Sequence, residues 1–142
     1  MLFKCRYFRL QELVPPDVYN KYKDFAWRFF DEDILKDLDT IREHHGAITI
    51  NNWSFGGNLR NCGFRSNLYE NTNLYCSAHL MGKAFDLHSI NNKKLYTDIN
   101  QLFNSGKLKA IKRIESPLST KYGWVHVDEC PTNTTQLEVF NA

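Results

Sequence analysis

Two stretches of sequence decide the fold: SAHLMGKAFD at residues 77–86 and WVHVD at residues 124–128. They contain two histidines and an aspartate, His79, Asp86 and His126, which are the residue types that a catalytic zinc ion needs. Two imidazole nitrogens and a carboxylate oxygen fill three tetrahedral positions, and the fourth stays open for water. A glycine separates the first histidine from the aspartate, where a turn can direct both side chains to one point. The two stretches therefore predict a metal site and favour metal-assisted hydrolysis.

Both stretches alternate between polar and apolar residues, as a half-buried strand does. As the first stretch continues, Asp86 and His88 point to one face of a strand, and in the second His126 and Asp128 share a face. If these strands pair, Asp86 and His126 become neighbours, and His79 reaches them across the turn. Taken alone, each histidine is best interpreted as an ordinary polar residue, but the set of three predicts a ligand group. His88 is the main rival ligand, and we interpret it as a substrate contact or as support for a ligand.

Helical periodicity dominates the first part of the chain, and strand patterns follow it. The predicted helices begin at Pro16, Asp31 and Lys93, and the predicted strands cover residues 47–51, 109–114 and 124–127. His44 and His45 end the second helix, where their charge complements the negative end of the helix dipole. The order of elements indicates a single α+β domain over residues 1–142, with helices packed on a small, mainly antiparallel sheet.

Composition indicates a globular protein and argues against several other classes. Hydrophobic residues make up 42% of the chain and aromatic residues 14%, which is too much for a disordered protein. The formal net charge is +2, and the scattered basic residues do not form the patch typical of nucleic-acid-binding proteins. No apolar stretch approaches the length of a membrane span. We therefore expect no nucleic-acid partner and no membrane insertion, and we expect a monomer.

The N-terminal segment and the cysteines bear on the cellular compartment. No apolar core follows Met1-Leu2-Phe3-Lys4-Cys5-Arg6, which predicts a protein without a secretory signal that is made in the cytoplasm. The four cysteines lack the paired spacing of a structural zinc site; they are Cys5, Cys62, Cys76 and Cys130. We expect reduced thiols, with a bond between Cys62 and Cys76 as the alternative under oxidising conditions.

The motif Ser-x-His-x-x-Gly-x-Ala-x-Asp, followed by a Trp-x-His segment, resembles the zinc D-Ala-D-Ala carboxypeptidase and L-Ala-D-Glu endopeptidase family. The matching positions are Ser77, His79, Gly82, Ala84, Asp86, Trp124, His126 and Asp128. Upstream, the segment Cys62-Gly63-Phe64-Arg65-Ser66 is similar to the Gly-aromatic-Arg segment of the family. The resemblance covers residues 63–128 and implies the Hedgehog/DD-peptidase fold, in a family that includes phage endolysins.

Carried over position by position, the resemblance implies that the two histidines and the aspartate named above are the zinc ligands. Arg65 matches an arginine that binds substrate or stabilises the oxyanion of the tetrahedral intermediate, a role that suits a guanidinium beside a metal. Ser77 and Trp124 are further candidates for substrate contact. Ser77 also suits support of the loop that holds His79, and Trp124 suits the wall of the cleft.

The general base is where this sequence departs from the pattern of the family. Many members carry an acidic residue three positions before the last histidine ligand, and here that position is Gly123. Hydrolysis still needs a carboxylate that takes a proton from water and passes it to the leaving amine. Glu115 is the first candidate, because related phage-type sequences carry a similar Arg-x-Glu before the Trp-x-His segment. Asp128 is the second, since it shares the strand face of His126, and it also suits orienting that imidazole.

Together these features predict a zinc peptidase that cleaves the stem peptides of bacterial peptidoglycan. The resemblance implies a phage endolysin, released from the cytoplasm of an infected bacterium to act on the cell wall, or a wall-degrading protein carried in the virion. The alternative is a catalytically inactive zinc-binding structural or interaction module of the same fold, which Gly123 favours. A metal-free nucleic-acid or protein adaptor is a third reading, which the charge pattern disfavours.

Overall fold

The computed structural model describes residues 2–66 and 77–141. Within these ranges the helices are α1 (Pro16–Tyr22), α2 (Glu32–His45), α3 (Asn92–Asn104) and α4 (Pro117–Thr120). The strands are β1 (Ala84–Leu87), β2 (Arg113–Glu115), β3 (Val125–Asp128) and β4 (Glu138–Phe140). Short 3-10 helices lie at Leu10–Glu12, Lys23–Phe29, Trp53–Phe55 and Ala78–Met81. The predicted α+β class is confirmed.

The strands form one sheet in the order β1-β3-β2-β4. β3 pairs with β1 and with β2 in the antiparallel direction, whereas β4 pairs with β2 in the parallel direction. The sheet is therefore mixed and not purely antiparallel, which corrects the sequence-based expectation. The reason is β4, which no sequence pattern predicts: after β3 the chain crosses to the far edge of β2 before it forms the last strand.

Alternation along the strands separates an apolar face of the sheet from a polar face. The apolar face gives the core its Phe85, Leu87, Ile114, Val125 and Val127. Stripes of α2 and α3 complete the same core with Ile34, Leu38, Ile41, Leu95 and Ile99. The polar face carries Asp86, Arg113, Glu115, His126 and Asp128, so strand pairing collects these ionisable side chains on one side of the sheet.

The predicted helix from Asp31 to the paired histidines is confirmed as α2. The Asp31 carboxylate accepts a hydrogen bond from the backbone N–H of Asp33 (3.4 Å) and caps the first turn. Gly46 follows the last turn at φ +106°, a conformation that an L side chain rarely adopts. Local capping and helical periodicity thus determine both ends of this helix.

The predicted helix from Pro16 is shorter than its apolar stripe suggests. α1 ends at Tyr22, and Lys23 takes a φ of +48° before the chain continues as a 3-10 turn. This change of direction buries Trp27, while Phe25, which the helical period places inside, is 57% exposed. Burial of the larger indole ring overrides the helical period here.

Two predicted strands are reduced by contacts that are distant in sequence. The Asp37 carboxylate of α2 accepts hydrogen bonds from the backbone N–H groups of Lys109, Ala110 and Ile111 (2.6, 2.7 and 2.9 Å), so the strand predicted for residues 109–114 begins only at Arg113. Residues 47–51 contribute an isolated antiparallel bridge between Thr49 and His88. In both segments, contacts outside a regular strand ladder take the place of part of the predicted strand.

Among the described residues, no helix combines the length and the apolar character needed to cross a bilayer. The three cysteines that the structure describes, Cys5, Cys62 and Cys130, form no disulfide with one another. Cys76 lies outside the described residues, and so does any bond between it and Cys62.

Candidate metal centre

His79 is placed by a single 3-10 turn, Ala78–Met81. The Ser77 hydroxyl caps this turn by accepting a hydrogen bond from the backbone N–H of His79 (3.2 Å). Gly82 ends the turn at φ +68°, and a Cβ atom at this position would overlap the carbonyl oxygen of Phe29. The turn therefore needs glycine both for its backbone angle and for its close approach to another segment.

The ring of His79 is fixed by its outer nitrogen. Its Nδ1 lies 2.9 Å from the carbonyl oxygen of Gly63, which can only accept, so Nδ1 carries the proton. The other nitrogen, Nε2, lies 3.5 Å from Oδ1 of Asp86. His79 is 3% exposed, and its Nε2 faces the carboxylate in the orientation expected of a metal ligand.

Asp86 and His126 face each other directly across the β1–β3 pair, as the alternation of the sequence predicts. Nδ1 of His126 lies 2.9 Å from Oδ1 of Asp86. Nε2 of the same ring lies 2.9 Å from Oδ2 of Asp128. His126 therefore also has one nitrogen directed at the shared carboxylate and one held by an outer acceptor.

One ligand atom from each of His79, Asp86 and His126 lies within 4.8 Å of the other two, so the group could hold a metal ion. Two imidazoles and one carboxylate are a donor set of catalytic zinc sites, which keep a further position for water or substrate. The residues fit such an ion in a second respect. The proton on each histidine can stay on the outer nitrogen, where Gly63 or Asp128 accepts it, while the inner nitrogens converge on Asp86.

Without metal, a proton on His126 balances the two carboxylates. Burial by itself lowers the pKa of His126, but hydrogen bonds to Asp128 and Asp86 outweigh it and raise the pKa to about 9. Burial likewise favours a higher pKa for Asp86, yet hydrogen bonds from His126 and His79 hold the pKa of this carboxyl well below its usual range. In the metal-free group the nitrogen that a cation would use therefore carries a proton, which metal binding would displace.

Both carboxylate oxygens of Asp128 accept hydrogen bonds. It is fully buried, and Arg113 binds it with two parallel hydrogen bonds, from Nε to Oδ1 (2.9 Å) and from Nη2 to Oδ2 (2.8 Å). The backbone N–H of Cys130 donates to Oδ1 as well (3.0 Å). Burial favours a higher pKa, but the bonds from His126 and Arg113 keep the pKa of Asp128 well below its usual value. These contacts suit a residue that orients the His126 ring.

The three candidate ligands open onto a cavity of about 370 Å³. Its walls are formed by Arg65, Ser77, Ala78, His79, Asp86, Arg113, Glu115, Trp124, His126, Asp128, Cys130 and Phe140. Among the predicted site residues, Arg65, Ser77, Glu115, Trp124 and Asp128 therefore lie beside the ligand group. His88 does not line this cavity.

His88 instead continues β1 as the bridge to Thr49, with its backbone N–H donating to the Thr49 carbonyl (2.8 Å). Its Nδ1 is buried without a hydrogen-bond partner among the described residues. The prediction that His88 contacts substrate or supports a ligand therefore gains no support from its position.

Arg65 and Glu115 approach the ligand group from different elements. Nη2 of Arg65 lies 3.3 Å from Oδ2 of Asp86, while its Nε donates to the carbonyl oxygen of Asn61 (2.8 Å). Glu115 is 8% exposed and accepts a hydrogen bond from the Ser119 hydroxyl at Oε1 (3.1 Å). A cationic and an anionic side chain thus both reach the cavity that holds the ligand group.

Sequence reasoning missed Arg113, Cys130 and Phe140 as cavity residues. Arg113 had a signal that could have been used, because it precedes Glu115 by two positions and therefore shares its strand face. Phe140 had none, since its place depends on the parallel pairing of β4 with β2.

Comparisons of the chain with protein-family models, with curated proteins and with solved structures gave no significant match. The site is therefore interpreted from its own chemistry and from the motif resemblance described above.

Proposed function

We propose that this protein is a zinc-dependent peptidase that hydrolyses short peptide bonds of bacterial peptidoglycan. The observation that carries the proposal is the convergence of His79, Asp86 and His126 within 4.8 Å at the wall of a cavity. The outer nitrogens of both histidines are anchored, which leaves their inner nitrogens for a cation.

Zinc is the cation that this donor set favours, because imidazole nitrogens and a single carboxylate suit it better than they suit calcium or magnesium. When bound, zinc would supply Lewis-acid activation of water and of the scissile carbonyl. The ion would use Nε2 of His79, Nδ1 of His126 and the Asp86 carboxylate.

Glu115 is the better candidate for the general base, and Asp128 is the weaker one. Asp128 already binds Arg113, His126 and the N–H of Cys130, and it is fully buried. Glu115 lies on the same sheet face and lines the cavity. We assign to Glu115 the transfer of a proton from the attacking water to the leaving amine, and to Asp128 the orientation of His126.

Arg65 supplies positive charge where the reaction develops negative charge. Its Nη2 lies 3.3 Å from Oδ2 of Asp86, its Nε donates to the Asn61 carbonyl, and the side chain lines the cavity. A guanidinium in this position can bind a substrate carboxylate or the oxyanion of the tetrahedral intermediate.

The substrate class comes from the resemblance to the D-Ala-D-Ala carboxypeptidase and L-Ala-D-Glu endopeptidase family. That resemblance supports the stem peptides of peptidoglycan as substrate and a phage endolysin or a virion-associated lysin as the biological setting. In such a setting the protein acts on the wall after release from an infected cell, or from the virion.

The experiment is hydrolysis of purified peptidoglycan and of soluble stem peptides by the zinc-loaded protein, with products identified by mass spectrometry. Glu115→Gln is expected to lower kcat by about 10²–10⁴ while the zinc affinity is kept, because the carboxylate moves protons and does not bind the ion. Glu43→Gln, an exposed carboxylate on α2, is the matched control and should retain full activity. Full activity of Glu115→Gln would refute the assignment of the base.

The second candidate function is a zinc-binding module without catalysis. It is favoured by Gly123, which forms part of the turn after α4, with its N–H donating to the Thr120 carbonyl (3.0 Å), and offers no side chain to the reaction. Zinc binding by the wild type without release of any peptide product would favour this alternative and exclude the peptidase.

A further inference from the structure

The C-terminal strand brings an aromatic ring to the candidate metal centre. β4 pairs with β2 so that Phe140 lies opposite Glu115, and the backbone N–H of Ser116 donates to the Phe140 carbonyl (2.6 Å). Residues opposite each other share a sheet face, so Phe140 lies on the face that carries the ligands. It also lines the cavity.

The ring of Phe140 contacts two residues of the site. Its centroid lies 5.6 Å from that of the His126 ring with an interplanar angle of 84°, an edge-to-face arrangement. The guanidinium carbon of Arg113 lies 4.0 Å from the centroid of the Phe140 ring, which is a close cation–π contact. Phe140 therefore joins a metal-ligand candidate to the arginine that holds Asp128.

These contacts close a circuit around His126. His126 binds Asp128, Asp128 binds Arg113, Arg113 lies over Phe140, and Phe140 packs against His126. Each contact in the circuit restrains the next one.

Packing adds a restraint to the hydrogen bonds of His126. Rotation about the Cα–Cβ and Cβ–Cγ bonds sets the plane of its ring, and the lone pair of Nδ1 lies in that plane. A rotation that turned Nδ1 away from the point shared with His79 and Asp86 would also disturb the edge-to-face contact with Phe140, whose ring is set at 84° to the imidazole.

We propose that Phe140 is a positioning residue for the metal ligand His126, so that the C-terminal strand is a working part of the metal centre. The inference rests on the metal site of the proposed function and is independent of peptide hydrolysis. The inference predicts that the metal affinity depends on an aromatic ring at position 140, and that an apolar residue without a ring is not sufficient.

The test measures the zinc affinity of the full chain by competition with a chelator, together with the visible absorption spectrum of the Co²⁺-loaded protein. The variants are Phe140→Ala, Phe140→Leu and Phe140→Tyr. Val139→Ala, whose side chain belongs to the same strand and is 50% exposed, is the matched control. Thermal unfolding of each metal-free variant shows whether the fold is kept.

Phe140→Ala and Phe140→Leu are expected to weaken zinc binding by about tenfold or more, the size typical of a lost outer partner, and to change the Co²⁺ spectrum. Phe140→Tyr should restore both properties, and Val139→Ala should leave them unchanged. Wild-type affinity and spectrum in Phe140→Leu would overturn the inference, because burial would then suffice.

The outcome is separable from that of the proposed function. Weaker zinc binding in Phe140→Ala with no peptide hydrolysis by the wild type would support this inference and refute the peptidase. Peptide hydrolysis by the wild type with unchanged zinc affinity in Phe140→Ala would do the opposite. A wild type that binds neither Zn²⁺ nor Co²⁺ would overturn both.

Discussion

The described part of the chain contains two clusters in which histidine contacts aspartate, and they differ in what their histidine nitrogens face. In one, Nδ1 of His45 lies 2.7 Å from Oδ2 of Asp98 and Nε2 lies 2.6 Å from the Ser89 hydroxyl. In the other, His79 and His126 share the carboxylate of Asp86. The His45 contacts are 2.6–2.7 Å long and the contacts to Asp86 are 2.9–3.5 Å long, so both clusters bring histidine nitrogens close to a carboxylate oxygen.

In the first cluster, both histidine nitrogens are used in hydrogen bonds that connect neighbouring elements. The His45 side chain is 5% exposed, both of its nitrogens are used, and Lys94 adds a contact to Asp98 (2.6 Å). The cluster joins the end of α2 to α3 and to the turn that precedes it. His45 lies in the last turn of α2, as the sequence predicts, and the structure adds the Asp98 carboxylate as a partner of its Nδ1.

The second cluster is convergent. Each of its histidines gives one nitrogen to an outer acceptor and directs the other at one carboxylate, beside a cavity. The comparison shows that a candidate metal centre is identified by histidine nitrogens from different elements that converge on one carboxylate beside a cavity. Proximity of histidine and aspartate is not enough.

The largest expected effect is on zinc affinity, and it is tested by replacing one histidine of each cluster with alanine in two separate variants. His79→Ala should remove zinc binding from the measurable range, because a ligand is lost. His45→Ala should leave the zinc affinity unchanged and lower the free energy of unfolding by about 2–3 kcal/mol, since Asp98 loses a buried partner. Calorimetric zinc titration and urea unfolding measure the two quantities, and weaker zinc binding in His45→Ala would break the distinction.

The next largest effect is on the free energy of unfolding, which should depend much more on the ion pair beside the metal centre than on the ion pair of the first cluster. Arg113→Gln leaves the fully buried Asp128 without its bidentate partner, so the free energy of unfolding should fall by about 3–5 kcal/mol. Lys94→Gln removes the charge of a side chain that is 55% exposed and should lower the free energy of unfolding by about 0.5 kcal/mol or less. Urea unfolding of both variants checks this, and equal losses would show that burial does not set the difference.

The smallest effect is a dependence of the metal-free protein on pH. The pKa of His126 is raised to about 9 in the folded state from an ordinary value of 6.5. The resulting stabilisation is fully present below pH 6.5 and is lost as pH rises through 9, a change of about 2–3 kcal/mol. Urea unfolding with a chelator at pH 6.5 and pH 9.5 measures it. His126→Gln should remove most of the change, and a wild type that is equally stable at both values would contradict the prediction.

The part of the site that could be predicted from sequence is the part that depends on patterns of neighbouring residues. Period-2 alternation placed Asp86 and His126 on facing positions of paired strands, and the pairing is observed. The glycine between His79 and Asp86 predicted a turn, and the turn is observed. The same holds for α2, whose cap and period are both local.

What could not be predicted depends on partners far apart in the chain. Asp37 takes the backbone N–H groups of residues 109–111 across more than 70 positions, which no local pattern shows. The parallel pairing of β4 and the contact of Phe140 with His126 likewise follow from the assembled sheet. The position of His88 outside the cavity also follows from a distant partner, Thr49.

The close approach of Gly82 to the carbonyl group of Phe29 has a consequence for how this sequence can diverge. The neighbouring atoms are backbone, which cannot swing aside as a flexible side chain can. Met81 and Lys83, on either side, are exposed, so substitutions there are expected to cost little stability. Evolutionary divergence should therefore leave an invariant glycine between variable neighbours, because a change in the segment around Phe29 would relieve the close approach but not the strain of φ +68°.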